Sequence, residues 1–163
     1  MSKVFPLAAM AACAAALLAS PAPAASEADP AFGYWLTENK QAIIRVDSCG
    51  QRACGTMVWV SEPVTDEGAL KRDVKNEDVA KRDRPICGLP LFGGLAATKP
   101  GFWKKGWLYN PRDGQTYSVQ ISAESATKLT VRGFLGLPVL GSSQTWTRVD
   151  GDRGGCPAQG AKS

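Results

Sequence analysis

The chain has no histidine among its 163 residues, and this absence removes several kinds of chemistry. Ser-His-Asp and Cys-His nucleophile systems need an imidazole, and so does every metal site built on histidine. The sequence also lacks a glycine-rich loop of the P-loop or dinucleotide-binding type. We therefore assign no catalytic residues, no cofactor and no metal from the sequence.

A strong charge of one sign is also lacking. The formal net charge is +4, part of which belongs to Lys3, and the lysines and arginines are interleaved with aspartates and glutamates. Such a pattern is typical of a solvated surface rather than of a nucleic-acid interface. We expect no nucleic-acid partner.

No apolar run is long enough to cross a bilayer, because the longest one, residues 7–19, falls short of the roughly 20 residues that a helix needs. This run follows Lys3 and precedes Ala22-Pro23-Ala24, which fits the small-x-small rule for cleavage. We predict a cleaved signal peptide over residues 1–25, a barrel domain over 26–150 and a tail over 151–163. The mature protein is then periplasmic or secreted and does not span the membrane.

A lipoprotein signal is the alternative for this leader. Met10-Ala11-Ala12-Cys13 loosely resembles a lipoprotein cleavage box, in which the cysteine becomes the lipidated N-terminus. Met10 is a poor first residue for that box, and the apolar run continues past Cys13 to a better cleavage site. We therefore favour the ordinary signal peptide.

Four cysteines lie beyond the leader: Cys49, Cys54, Cys87 and Cys156. An even number in an exported domain indicates disulfides, for which three connectivities are possible. A hairpin between Cys49 and Cys54 would hold them at disulfide distance, and Cys87 would then pair with Cys156 and tether the tail. A four-thiolate zinc site is the alternative, but the pairs lack C-x-x-C spacing.

Hydrophobic residues alternate with polar ones along most of the chain. Tyr117, Val119 and Ile121 share one face of the clearest example, while the residues between them are polar. This alternation, with a period of two residues, is typical of strands with one solvent-exposed face, as in an antiparallel sheet. Eight such strands are predicted, at residues 33–37, 41–47, 53–60, 88–95, 103–109, 115–122, 129–134 and 139–149.

One charged segment, residues 65–85, breaks the alternation. Asn76, followed by Glu77 and Asp78, indicates the N-terminus of a short capped helix with acids in its first turn. We expect a helical excursion between two strands.

An ordered set of motifs resembles the bacterial family called domain of unknown function 2147. The set is Gly33-Tyr34-Trp35-Leu36-Thr37, Cys49, Cys54-Gly55, Val58-Trp59, Asp73, Asn76, Arg82-Asp83-Arg84-Pro85, Gly88, Gly106 to Pro111, Asp113-Gly114, Tyr117, Val131-Arg132-Gly133 and Gln144 to Arg148. The resemblance covers residues 32–148 and implies an exported protein, but it implies no reaction.

The two ends of the domain resemble the lipocalin, or calycin, barrels. In those proteins a Gly-x-Trp on the first strand lies under an arginine of the last, and the matching residues here are Gly33, Trp35 and Arg148. A cation over an indole ring contributes about 0.5–2 kcal/mol. The resulting expectation is a mainly β fold, an antiparallel lipocalin-like barrel of about eight strands with one short helical excursion.

Two groups of side chains are candidate sites. The candidate ligand-binding residues are Trp59, Trp107, Tyr109, Tyr117, Arg132 and Trp146, which would line an apolar pocket, although small barrels also fill their interiors with aromatic side chains. A polar mouth or structural motif is predicted at Asp73, Asn76, Arg82 and Arg84.

The function predicted from these features is binding of a small apolar or amphipathic ligand by an exported barrel in the cell envelope. A non-catalytic module that binds an envelope protein is the alternative. An enzyme that uses carboxylates for acid–base work is a lesser one, because no spacing singles out a pair of acids.

Overall fold

The computed structural model describes residues 29–157. The predicted signal peptide and the alternative lipidation site at Cys13 lie outside the described residues, and so does the end of the tail. None of the helical segments within the described range is long and apolar enough to cross a membrane.

Eight antiparallel strands form a closed barrel in which each strand pairs with the next and the last pairs with the first. The strands are β1 (Gly33–Leu36), β2 (Ala42–Cys49), β3 (Arg52–Val60), β4 (Pro90–Lys99), β5 (Phe102–Asn110), β6 (Gln115–Ser125), β7 (Lys128–Phe134) and β8 (Ser142–Val149). The predicted eight-stranded antiparallel barrel is confirmed. Closure leaves no sheet edge exposed for pairing with another chain.

Alternation along β6 places its apolar face inside the barrel, as the sequence predicts. Val119 and Ile121 are fully buried in the core, and Tyr117 faces the same interior nearer the end of the strand. The last strand is shorter than predicted, because Pro138–Leu140 forms a 3-10 turn before it.

One half of the barrel is filled with side chains. Two glycines make this filling possible: a Cβ on Gly55 would lie 2.3 Å from the Phe92 ring, and one on Gly106 would lie 2.5 Å from Leu95 Cγ. Phe92 and Leu95 therefore lie over glycines of the neighbouring strands β3 and β5, and both are fully buried. This half is a packed core.

The connection between β3 and β4, residues 61–89, is the charged excursion. It contains a 3-10 turn at Val79–Lys81, which is shorter than the predicted helix and begins later. The capping side chain belongs to Asp78, which accepts from Ala80 N–H. Asn76 does not cap, because its side chain bonds Asp73 and the Asp78 N–H instead.

Two disulfides join the four cysteines of the described range. Cys49–Cys54 closes the β2–β3 hairpin with a Cα–Cα distance of 5.9 Å, and Cys87–Cys156 joins the excursion to the tail with 5.6 Å. The expected pairing is therefore present, and a four-thiolate zinc site is ruled out because the sulfur atoms bond one another.

Candidate functional site

A cavity of about 710 Å³ occupies the other half of the barrel. It opens between the loops that follow β1, β3, β5 and β7, and its volume lies within the roughly 300–1,000 Å³ of small-molecule sites. The apolar residues that line it are Ala42, Ile44, Met57, Val60, Ile86, Leu91, Leu108, Val131 and Trp146.

Trp146 forms the floor of this cavity. Its indole is 3% exposed and lies 6.3 Å, centroid to centroid, from the Phe92 ring of the filled half. The indole Nε1–H donates to Gln144 Oε1 over 3.0 Å, so its polar atom is satisfied. The floor therefore presents an apolar surface to anything that enters from above.

Polar side chains surround the opening of the cavity. Lys71 Nζ lies 2.9 Å from Glu62 Oε2, and the Arg112 guanidinium donates to Gln41 Oε1. Asn39 also lies on this rim. An apolar interior under a polar rim suits a molecule with an apolar body and a polar end.

Three of the predicted ligand-binding residues border the cavity: Tyr109, Tyr117 and Trp146. Trp59 lies outside the barrel interior, where the Arg153 guanidinium sits 5.3 Å from its ring. Trp107 also faces outward, lies across Gly93 and is 41% exposed.

Arg132 lies on the outer face of β7 and does not border the cavity. Its Nε donates to Pro138 O over 2.8 Å, and Nη1 donates to Ser143 Oγ over 2.8 Å. The guanidinium therefore fixes the loop between β7 and β8.

The predicted polar group is partly assembled around one buried carboxylate. Asp73 is fully buried and accepts from Asn76 Nδ2 (2.8 Å), from Arg84 Nη2 (2.8 Å) and from the Tyr109 hydroxyl. Arg82 lies beside this cluster, where its Nε donates to Asn76 O over 2.7 Å. Each partner lowers the cost of burying the Asp73 charge.

Tyr109 belongs to this cluster as a donor. Burial, and next the hydrogen bond to Asp73, raises the pKa of the Tyr109 hydroxyl above its ordinary value of 10.0. The phenol therefore keeps its proton at neutral pH and cannot act as a base there. Its contact with Asp73 fastens the excursion to β5.

The excursion is also fastened to the turn between β5 and β6. Lys75 Nζ donates to Arg112 O over 2.7 Å, and Gln115 Nε2 donates to Glu77 Oε1 over 2.8 Å. Gly114, at φ +79°, packs so closely that a Cβ there would lie 1.9 Å from Lys75 O. These contacts hold the excursion as one wall of the cavity mouth.

At the opposite, filled end, Arg148 spans the first and last strands. Its guanidinium lies 4.1 Å from the Trp35 ring centroid, while Nη1 donates to Phe32 O (2.8 Å) and Nη2 to Pro30 O (2.6 Å). Gly33 makes room for it, since a Cβ there would lie 2.4 Å from Nη1. This arrangement closes the barrel far from the cavity mouth.

Several lining residues were not among the predicted site residues, notably Met57, Leu91, Leu108 and Val131. All four are aliphatic or thioether side chains on strands. Register shifts along β3, β4 and β5 interrupt the alternation of these strands, so it does not mark all four residues as inward-facing. Nothing in the sequence separates the open half of the interior from the filled half.

The comparisons with known proteins agree with this fold. Residues 33–148 match the family model described as "Uncharacterized protein conserved in bacteria (DUF2147)". The chain belongs to the DUF2147 family. No curated protein matches this DUF2147 chain.

Among solved structures, a Helicobacter pylori protein, HP1028, which is described as belonging to the lipocalin family, matches with a TM-score of 0.63. The two are 20% identical, and the match covers 74% of this chain and 83% of the other. The likeness shows a lipocalin-like barrel fold for this DUF2147 member.

Proposed function

We propose that this DUF2147 protein is exported to the cell envelope, where its barrel binds one small apolar or amphipathic molecule. The observation that carries the proposal is the cavity of about 710 Å³ with an apolar lining, the Trp146 floor and a polar rim. The lipocalin-like fold is consistent with such binding. The apolar body of the ligand would lie against Ile44, Leu108 and Val131, with its polar end at the rim.

Export rests on separate observations. The leader has the layout of a signal peptide, and the described range carries two disulfides. Structural disulfides persist in oxidising compartments such as the bacterial periplasm. Envelope location and ligand binding can therefore be tested independently.

Binding is favoured over acid–base catalysis by the composition of the cavity wall. Among the described residues that line it, Glu62 is the single carboxylate, and it is paired with Lys71 at the rim. General acid–base work by carboxylates needs groups placed beside the reacting atoms. The apolar floor offers none.

The test is a titration with two fluorescent probes, the fatty acid cis-parinaric acid and the uncharged N-phenyl-1-naphthylamine. The key variant is Ala42→Phe, because Ala42 lines the cavity and is nearly buried. The matched control is Thr145→Phe, which adds the same ring at an exposed position of β8. Ser142→Phe, at the cavity rim, serves as a second filling variant.

We expect both probes to bind the wild-type protein, and Ala42→Phe to lower the affinity by about tenfold or more, which is about 1.4 kcal/mol. Thr145→Phe should bind as the wild type does. If the wild type binds neither probe and native mass spectrometry finds no copurified molecule, the proposal is wrong. Equal loss in Ala42→Phe and in the control Thr145→Phe would place the probe outside the cavity.

A further inference from the structure

The loop between β7 and β8, residues 135–141, displays large apolar side chains to solvent. The exposed fraction is 64% for Leu135, 64% for Leu137, 78% for Val139 and 77% for Leu140. The sequence from 133 to 143 has no charged residue. We call residues 135–141 the apolar loop.

The apolar loop stands at the mouth of the cavity. Gly133, just before it, and Ser142, just after it, both line the cavity. The exposed side chains therefore project at the open end of the barrel. Exposed apolar patches of this kind mark sites of interaction with proteins or membranes.

Part of the backbone of the apolar loop is already hydrogen-bonded. Leu137 O accepts from Leu140 N (3.0 Å), and Pro138 O accepts from Gly141 N (3.1 Å) as well as from Arg132 Nε. Arg132 Nη2 also reaches Val139 O over 3.3 Å. Pro138 has no N–H of its own. Three carbonyls of the loop, those of Leu137, Pro138 and Val139, are therefore paired. This pairing lowers the cost of placing the loop in an apolar phase, because unpaired backbone groups are the main penalty there.

Aromatic side chains continue the apolar surface along the outer wall. Trp107, Ser118 and Phe134 are partners across β5, β6 and β7 and so form one row. Since neighbouring strands lie about 4.8 Å apart, the two aromatic residues are roughly 10 Å apart on the same face. Trp107 is 41% exposed, and exposed tryptophans at the border of an apolar surface are typical of membrane interfaces.

We propose that the apolar loop inserts into the surface of a lipid bilayer, with Trp107 at the level of the headgroups and the cavity mouth beside the membrane. A lipid surface fits this patch better than a protein partner does. Four side chains on one projecting loop are far fewer than the roughly 20–30 residues that each partner contributes to a stable protein interface. Shallow insertion needs few apolar groups, since each buried methylene adds to the affinity.

The experiment measures binding of protein produced from the full-length chain to vesicles of phosphatidylcholine, with and without phosphatidylglycerol. The loop variant is Val139→Ser with Leu140→Ser. The matched control is Val74→Ser with Val79→Ser, which removes two apolar residues of comparable exposure (66% and 70%) from the excursion. Brominated lipids then quench the fluorescence of the wild type and of Trp107→Phe.

We expect the loop variant to lose about tenfold or more in vesicle affinity, because each buried methylene that is removed weakens binding. The control should bind as the wild type does. Brominated lipids should quench the wild type more than Trp107→Phe. The loop variant should keep its affinity for N-phenyl-1-naphthylamine in vesicle-free buffer, so failure of this proposal is distinguishable from failure of ligand binding.

Three results would overturn the proposal. One is equal vesicle binding by the loop variant and the wild type. Another is binding only to vesicles that contain phosphatidylglycerol, with the same affinity for the loop variant and the wild type, which would indicate attraction of charge. The third is a wild-type dimer in sedimentation that the loop variant abolishes without an effect on vesicles, which would make the loop a contact between two copies.

Discussion

Replacing Arg148 by methionine tests how the barrel is closed. Methionine keeps the aliphatic packing over Trp35 and removes the guanidinium. The guanidinium makes hydrogen bonds to the carbonyls of Phe32, Pro30 and Ala126, and it stacks over the indole at 4.1 Å. Three of these interactions join the last strand to the first strand or its approach, and the bond to Ala126 O joins the last strand to the β6–β7 turn.

The size of the effect follows from these interactions. Three hydrogen bonds contribute about 0.5–1.5 kcal/mol each, and the cation over the ring adds about 0.5–2 kcal/mol. Because part of the group is exposed, we take about 3 kcal/mol as the loss in the free energy of unfolding. With a urea dependence of about 2 kcal/mol per M, the unfolding midpoint should fall by about 1.5 M.

The assay is urea unfolding followed by Trp fluorescence, with both disulfides intact. The control is Arg45→Met, since Arg45 is paired with Asp47 at the surface, where both side chains are nearly half exposed. Exposed pairs contribute about 0–1 kcal/mol. Arg148→Lys should resemble Arg148→Met, because an ammonium cannot reach three carbonyls as the planar guanidinium does.

A second variant approaches the same contact from the other side. Gly33 has a φ of +126°, and a Cβ there would lie 2.4 Å from Arg148 Nη1. Gly33→Ala should therefore displace the guanidinium and lower the midpoint as well. If Arg148→Met unfolds at the same urea concentration as Arg45→Met, Arg148 does not close the barrel in any energetic sense and the reasoning fails.

Two further predictions concern stability. Replacing Cys87 and Cys156 by serine should lower the free energy of unfolding by about 4 kcal/mol, and replacing Cys49 and Cys54 should lower it by about 2 kcal/mol. The difference arises because the Cys87–Cys156 bridge closes the longer loop and so restricts the unfolded chain more. Equal losses in urea unfolding would contradict this. Burial and a hydrogen bond raise the pKa of Tyr109, so the unfolded chain loses this phenol proton first. Stability should therefore fall as pH rises above about 10, and less so in Tyr109→Phe; parallel pH curves for the two proteins would refute the assignment.

The barrel could be predicted from the sequence because its signals are local. Alternation along single strands, as at Tyr117, Val119 and Ile121, fixes which face is buried, and turn residues such as Asp113-Gly114 separate the strands. The pairing of Trp35 with Arg148 lies outside such local signals. It came from resemblance to the lipocalin barrels, and the two residues are register partners of β1 and β8.

The inward or outward direction of each tryptophan could not be predicted by counting alternate positions along its strand. Trp103 and Trp107 are four residues apart and should share a face, yet Trp103 is buried in the core and Trp107 is exposed. The register shifts between Trp103 and Gly106, and Lys105 there has a φ of +61°. This irregularity reverses the phase of the strand.

The same cause explains Trp59. The β2–β3 register shifts at Ile43/Ile44, so that Ile43 pairs with Trp59 and Ile44 with Met57. Val58 is left over, and Trp59 turns outward while Met57 stays in the core. A bulge adds one residue to one strand. No residue type in this sequence indicates where that extra residue lies.

The filled end of the barrel contributes mainly to stability, and the open end forms the surface proposed to bind other molecules. The end at which a substitution lies should therefore decide which property it changes. Asp29 accepts from Gly101 N and Trp103 Nε1 at the filled end, where Arg148 also lies, and Phe92 separates this end from the cavity floor at Trp146. Changes there remove packing and hydrogen bonds without altering the cavity wall. Ala42 lines the cavity, whereas the side chains of the apolar loop do not. Variants at the filled end should therefore change unfolding at constant probe affinity. At the open end, Ala42→Phe should change probe affinity and the loop variant should change vesicle affinity, both at nearly constant stability.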